Sequence, residues 1–273
     1  MDQPTQNDAL LTACLSVRYG KKPAVLRDID LKVRRGEVLG LVGQSGSGKS
    51  TLAMTILGLL DRTRATVEGT LDFDGSDLLR LRERELRAMR GSKIALVLQS
   101  PLSSLNPALK IRTQLRETWA AHASGPNAEC DLAIRAALES VSLPSSDEFL
   151  KKYPSQMSVG QAQRVLIAMA VIHRPALLIA DEATSALDVI TQSEILALFR
   201  ELNRTSGMSI LYISHDLASV AGICDRIAIL HQGQIVELGA SEQVLTNPQH
   251  EYTQRLMAAM PKMPQRVAKA ATV

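Results

Sequence analysis

Val38-Leu39-Gly40-Leu41-Val42, running directly into Gly43-Gln44-Ser45-Gly46-Ser47-Gly48-Lys49-Ser50-Thr51, decides how this chain is read. The apolar run predicts a strand buried on both faces, as in a parallel sheet. The residues after it fit the phosphate-loop pattern G-x-x-x-x-G-K-[ST], placed between a strand and a helix as that motif requires. Glycines let backbone N–H groups face phosphates with no Cβ in the way, and the helix that follows presents its positive N-terminus. Lys49 is then placed to reach the β and γ phosphates, and Ser50 to offer its hydroxyl to Mg²⁺. A merely structural Gly/Ser turn is the competing reading, and the full motif in its strand-to-helix setting argues against it.

Outward from this loop, short Val/Ile/Leu runs at 94–98, 177–180, 209–213 and 227–230 predict further buried strands, alternating with helical stretches. Around 15–17 and 66–73 the alternation suits antiparallel strands, so a mixed sheet near the amino end is expected. Between 100 and 156 the strand signal disappears. Helical text at 113–122 and 130–141, broken by 124–127 and 144–148, predicts an inserted helical lobe. No internal repeat is found, and the residues from Pro261 onward lack apolar periodicity and are expected to fray.

Leu177-Leu178-Ile179-Ala180-Asp181-Glu182 is a strand ending in two adjacent carboxylates, at the sheet edge where open α/β folds bind ligands. Asp181 is a candidate to assist Mg²⁺, and Glu182 to polarise an attacking water. Alone, such a pair is ordinary surface; beside a phosphate loop it points to nucleotide hydrolysis.

At this point the sequence resembles the ABC ATPase family, from about residue 11 to 259. The resemblance implies a P-loop NTPase (RecA-like) α/β core with a mixed β-sheet and an inserted α-helical subdomain. It implies one ABC ATPase domain over 1–273: a nucleotide-binding core at about 11–99 and 162–245, a helical subdomain at 100–161, and a partly disordered extension at 246–273. Tyr19 occupies the position whose ring stacks on adenine, a strand tyrosine being the alternative. Gln99 matches the Q-loop that senses Mg²⁺, and His215 the switch histidine near the γ phosphate; both join Glu182 as candidate catalytic residues. Met157-Ser158-Val159-Gly160-Gln161 matches the Leu-Ser-Gly-Gly-Gln signature except at Met157 and Val159. Ser158, Gly160 and Gln161 are its candidate nucleotide contacts; Ser158 can also simply cap the following helix. Ser185-Ala186-Leu187-Asp188 matches the D-loop, with Asp188 at its end. Ser50, Gln99 and Asp181 are the candidate Mg²⁺ ligands.

In this family each ATP lies between the phosphate loop of one subunit and the signature of another, so a second ATPase subunit is implied, in a heterodimer or a homodimer. Glycine at position 159 would let the backbone approach the opposing γ phosphate. Valine weakens that contact if the backbone there needs φ > 0, and costs little if φ is ordinary. An asymmetric heterodimer with slower turnover at the partner's loop is one expected consequence.

Gln99-Ser100-Pro101, Ser103-Ser104-Leu105-Asn106-Pro107 and Asn247-Pro248-Gln249-His250-Glu251-Tyr252-Thr253 resemble the dipeptide, oligopeptide and nickel importer branch, where Pro is usual in place of Glu251. That branch implies two transmembrane permease subunits, reached through residues 102–109, and an extracytoplasmic solute-binding protein acting indirectly. The cysteine cluster that holds an iron–sulfur centre in some relatives is missing, so none is expected. An exporter ATPase, or a soluble ABC ATPase acting as a switch, is the alternative.

Composition fits this frame. The chain has 273 residues, 45% hydrophobic and 22% charged, enough for a substantial core. With 31 Lys and Arg against 28 Asp and Glu, the net charge of +3 gives no domain-wide basic face, and no nucleic-acid partner is expected. No signal-peptide pattern and no apolar run of roughly 18 to 20 residues is present, so the expected place is peripheral, at the cytoplasmic face of the inner membrane. Cys14, Cys130 and Cys224 are too scattered for a disulfide framework or metal site and are read as reduced, packed thiols. Residues 80–93 are strongly basic with Glu83 and Glu85 interspersed, which suits helical charge pairing or a lipid-headgroup contact.

Overall fold

The structure, a computed structural model, describes residues 8–259. The buried run after the first antiparallel hairpin is β3 (Val38–Val42), and its alternation divides the molecule. Val38 and Val42 point into one hydrophobic cluster and Leu39 and Leu41 into another, because successive strand side chains face opposite ways.

A six-stranded sheet has the order β10-β9-β3-β8-β7-β6. Its other strands are β6 (Ile94–Val97), β7 (Leu177–Asp181), β8 (Ser209–Ser214), β9 (Arg226–His231) and β10 (Gln234–Ala240). All its pairings are parallel except β9 with β10. This sheet is the expected mixed sheet, but its antiparallel member lies at the carboxyl end of the chain.

The amino-terminal strands form a separate antiparallel sheet, ordered β2-β1-β4-β5, from β1 (Ala9–Tyr19), β2 (Leu26–Arg34), β4 (Ala65–Phe73) and β5 (Ser76–Asp77). Sequence reading merged this sheet with the other and missed β2. In β2, Ile29, Leu31 and Val33 are buried while Asp28, Asp30 and Lys32 are exposed, a period of two obscured by its charged half. Cys14 lies on the outer face of β1 between buried Ala13 and Leu15, so it is exposed and not packed as expected; Cys130 and Cys224 are buried.

One core cluster fills the space between the antiparallel sheet and the six-stranded sheet, with Leu52, Ala53 and Ile56 of α1 (Lys49–Ile56) inside it. The other covers the opposite face. It joins Leu178, Ile210 and Tyr212 of the sheet to Ile111 and Leu115 of α4 (Ile111–Ala120), Ile134 and Leu138 of α5 (Asn127–Ser140), Val165 and Ala168 of α7 (Val159–Val171), and Ile195 and Phe199 of α8 (Val189–Ser206). The interval expected to be a helical lobe is helical and also holds the short α3 (Pro101–Ser104) and α6 (Asp147–Leu150), while α10 (Ser241–Thr246) follows β10. The lobe's longer helices share this core with the sheet, and α7 crosses the boundary drawn at 161.

In the basic stretch, α2 (Glu83–Met89) carries the expected charge pairing: Arg90 meets Glu83 at 2.6 Å and Arg82 meets Glu85 at 3.1 Å. The fraying expected from Pro261 onward lies outside the described residues. Among the described residues, no helix is long and apolar enough to cross a membrane.

Candidate functional site

β3 delivers the chain to the carboxyl edge of the sheet, and α1 leaves it one loop later. The residue before α1, Gly48, has φ 111°, a left-handed conformation closed to ordinary side chains. A Cβ there would also lie 2.6 Å from Leu26 Cδ2, so both backbone and packing demand glycine. Ser47 N–H donates to the Gln44 carbonyl at 3.1 Å and closes the loop.

Lys49, only 4% exposed, folds back over this loop. Its Nζ donates to the carbonyls of Gly43 at 2.7 Å and Gln44 at 3.1 Å. Burial lowers its pKa, while the charges of Glu182 and Asp181 pull it back up. A desolvated ammonium held by two neutral carbonyls is poised to take a better, anionic partner.

The carboxyl end of β7 supplies those acids. Asp181 is 8% exposed, and its Oδ1 has no hydrogen-bond partner. Burial raises its pKa against the opposing pull of the Ser50 hydroxyl. Glu182 takes φ 49° and its N–H donates to the Ile213 carbonyl at 3.0 Å, so the chain turns off the sheet directly after Asp181. Glu182 Oε1 lies 3.9 Å from Lys49 Nζ and 3.4 Å from His215 Nδ1. His215 follows the end of β8 and is 54% exposed, on a turn locked by Asp216, which caps α9 (Leu217–Ala221) through the N–H groups of Ala218 and Ser219.

Gln99 follows β6 and lines a polar cleft of 420 Å³ with Ser45, Ser50, Ser103, Asp181 and Glu182. A cavity of 540 Å³ between α5, α7 and α8 carries none of the candidate groups. Loop 43–51, Gln99, Asp181, Glu182 and His215 therefore converge. Ser50, Asp181 and Gln99 offer hard oxygen donors, and the orphaned, desolvated Asp181 Oδ1 is the kind of atom a Mg²⁺ ion satisfies.

Tyr19 ends β1, half-buried, and shares neither these hydrogen bonds and ion pairs nor the cleft wall. The signature segment lies at the amino end of α7. Ser158 caps it, its Oγ accepting from Gln161 N–H at 3.2 Å while Gln161 Oε1 accepts from Ser158 N–H at 3.3 Å. Val159 is the first residue of the helix, 41% exposed, and is not among the described residues with positive φ. Backbone strain at this position is thereby excluded, and only its side chain can affect a facing ligand. Asp188 caps α8, accepting from Ile190 and Thr191 N–H.

Sequence reasoning left Tyr252 out of the site. Its hydroxyl accepts from the N–H of Gln44 inside the phosphate loop at 3.3 Å. The signal was an aromatic residue in a tail segment otherwise read only as a branch marker.

Comparison with known proteins identifies the family and the fold. The family described as "ABC transporter" matches residues 26–185. The chain is 45% identical over 252 residues to the peptidoglycan transport ATP-binding protein YejF of Agrobacterium fabrum, covering 91% of this chain and 46% of that protein. It is 39% identical to the oligopeptide transport ATP-binding protein OppD of Lactococcus lactis, covering 89% of this chain and 72% of that protein. For the dipeptide transport ATP-binding protein DppD of Escherichia coli the identity is 40%, with 92% and 78% covered. The chain thus spans about half of the first relative and roughly three quarters of the other two. Among solved structures, cbiO1 from Clostridium perfringens, part of the transporter complex cbiONQ, superposes with a TM-score of 0.76 at 26% identity over 93% of this chain and 96% of that one. The ATP-binding cassette MJ0796, a dimer bound to ADP and Pi, gives 0.70 at 27% identity over 86% and 97%.

Proposed function

Since the chain belongs to the ABC transporter family and has its P-loop NTPase fold, we propose that it is the ATP-binding and ATP-hydrolysing subunit of an importer for a peptide-like solute. The observation that carries the reading is the meeting of Lys49, Asp181, Glu182 and His215 at one sheet edge around the phosphate loop.

In this reading the N–H groups of 43–51 and the Lys49 ammonium hold the triphosphate, Lys49 exchanging its carbonyl partners for phosphate oxygens. Glu182 orients the attacking water and accepts its proton. His215, 3.4 Å from the Glu182 carboxylate, holds that carboxylate in place and faces the γ phosphate. Ser50, Asp181 and Gln99 hold Mg²⁺, which supplies neutralisation of phosphate charge. Tyr19 stacks on the base.

Ser158, Gly160 and Gln161, with Asp188, serve the ATP on a second ATPase subunit's loop, so the working unit is a dimer, as the MJ0796 cassette is. That dimer sits on two permeases at the cytoplasmic face of the membrane. Solute choice rests with the permeases and an external binding protein; the relatives' names point to peptide-like cargo.

The test compares ATP hydrolysis by the chain alone with that of the chain reconstituted with its permeases and second ATPase subunit. Activity is expected to be weak alone and to rise on assembly. A rate that does not depend on protein concentration and is unchanged by the partners would overturn the assignment.

A further inference from the structure

Residues 247–253 lie well beyond the segment 26–185 that matches the family, yet they fold back onto the phosphate loop. The return is built from β10. Glu237 accepts from the N–H groups of Gln249 at 2.8 Å and His250 at 3.1 Å, which fixes where α11 (Glu251–Ala259) begins. His250 Nδ1 then accepts from Tyr252 N–H at 3.1 Å. Tyr252 is 6% exposed, and its ring stacks on His231 at the end of β9 with centroids 3.7 Å apart and planes 21° from parallel.

From this wedge its hydroxyl receives the Gln44 N–H. Two more contacts hold the same loop from the β9–β10 side. Gly233 N–H donates to the Ser47 carbonyl at 3.1 Å, and Gly43 packs so closely that a Cβ there would lie 2.2 Å from the Leu230 carbonyl oxygen.

Gln44 is the connection to chemistry. Its carbonyl is one of the two that hold Lys49 Nζ, and it also closes the loop by accepting from Ser47. A shift of this residue moves the Lys49 ammonium and the N–H groups behind it together. Gln44 itself is exposed, so without the Tyr252 oxygen its N–H turns to solvent and the loop loses the bond that ties it to α11.

We propose that Tyr252 is a positioning residue of the nucleotide site: acting through Gln44, it sets the loop shape that presents Lys49 to the triphosphate. Nucleotide affinity therefore depends on α11 as well as on the matched segment. This deepens the ATP-site reading above and rests on it.

The experiment uses Tyr252→Phe, which keeps the ring and its stacking and removes only the oxygen. Arg255→Ala, on the same helix, breaks only an exposed ion pair with Glu251 and serves as control. Equilibrium titration of the full chain with MgATP, KM and kcat of the assembled transporter, thermal denaturation and hydrogen exchange across 43–47 are read together. Tyr252→Phe is expected to raise the Kd and KM for ATP about tenfold, with kcat within about twofold. Exchange at 43–47 should quicken with little change in Tm, and Arg255→Ala should match the wild type in every reading. A Kd for Tyr252→Phe within about twofold of wild type overturns the proposal, as does an unprotected Gln44 amide in the wild-type protein itself. A fall in kcat with unchanged KM also overturns it. If the wild-type chain does not bind MgATP, the site reading fails and takes this proposal with it; if wild type and variant bind equally, only the positioning role fails.

Discussion

Glu182→Gln separates chemistry from binding at this site. The side chain keeps its shape, and the φ of 49° and the N–H donated to Ile213 are properties of the backbone that the change leaves alone. What disappears is one negative charge 3.9 Å from Lys49 Nζ and 3.4 Å from His215 Nδ1. At an effective dielectric of 20 the pair with Lys49 amounts to about 4 kcal/mol before desolvation is counted. The Glu182 side chain is 23% exposed, and solvent screening with the relief of desolvation brings the net stability change to roughly 1 kcal/mol. That is a Tm shift of about 2 to 4 °C. Loss of a general base lowers turnover about 10² to 10⁴-fold, roughly 3 to 5 kcal/mol of barrier. The second effect exceeds the first, so a folded, ATP-binding, slow enzyme is expected. A further consequence follows for Lys49, whose pKa burial lowers and Glu182 partly restores. Without that carboxylate the pKa falls further, so ATP binding by the variant should fade at a lower alkaline pH than in the wild type. Phosphate release from the assembled transporter and MgATP titration from neutral to alkaline pH measure both. Hydrolysis above about a tenth of the wild-type rate would refute the general-base role, and an alkaline limit unchanged by the substitution would refute the charge coupling.

Asp181→Asn should stabilise the nucleotide-free chain at neutral pH by about 1 kcal/mol, a Tm rise of about 2 to 4 °C in chelator, while weakening MgATP binding. Because burial raises the folded pKa of Asp181, its contribution to stability is greatest below the unfolded value and is lost as pH rises through the folded one; a Tm that falls on substitution refutes this. Val159→Gly should cost a few tenths of a kcal/mol of stability and so lower Tm slightly, because it loosens a helix start that is unstrained. Any gain in site-resolved turnover should appear only at the ATP on the partner's loop; a rise in Tm, or a gain at this chain's own loop, contradicts the structure. A cysteine placed at Leu102, which is 48% exposed, in a Cys14→Ser background should cross-link to a permease in the assembled transporter, and consistent failure to do so refutes that docking face.

Much of the site was legible in the sequence because its components are local. A buried apolar run, a glycine that must take φ 111°, a carboxylate pair after a strand and a histidine after another strand are each written within a few neighbouring residues. Strand ends and the phosphate-loop pattern placed Lys49, Asp181 and Glu182 at the carboxyl edge of one sheet, and the family resemblance added His215. The tertiary structure decided what distant segments negotiate. It split the antiparallel strands into a sheet of their own and turned Cys14 outward, since pairing partners and faces follow from packing across the whole core. It gave Val159 an ordinary helical backbone, where the sequence could state only two branches of a condition. It also joined Tyr252 to Gln44 across 208 residues, a contact that no local periodicity encodes because it exists only once β9, β10 and α11 have closed behind the phosphate loop.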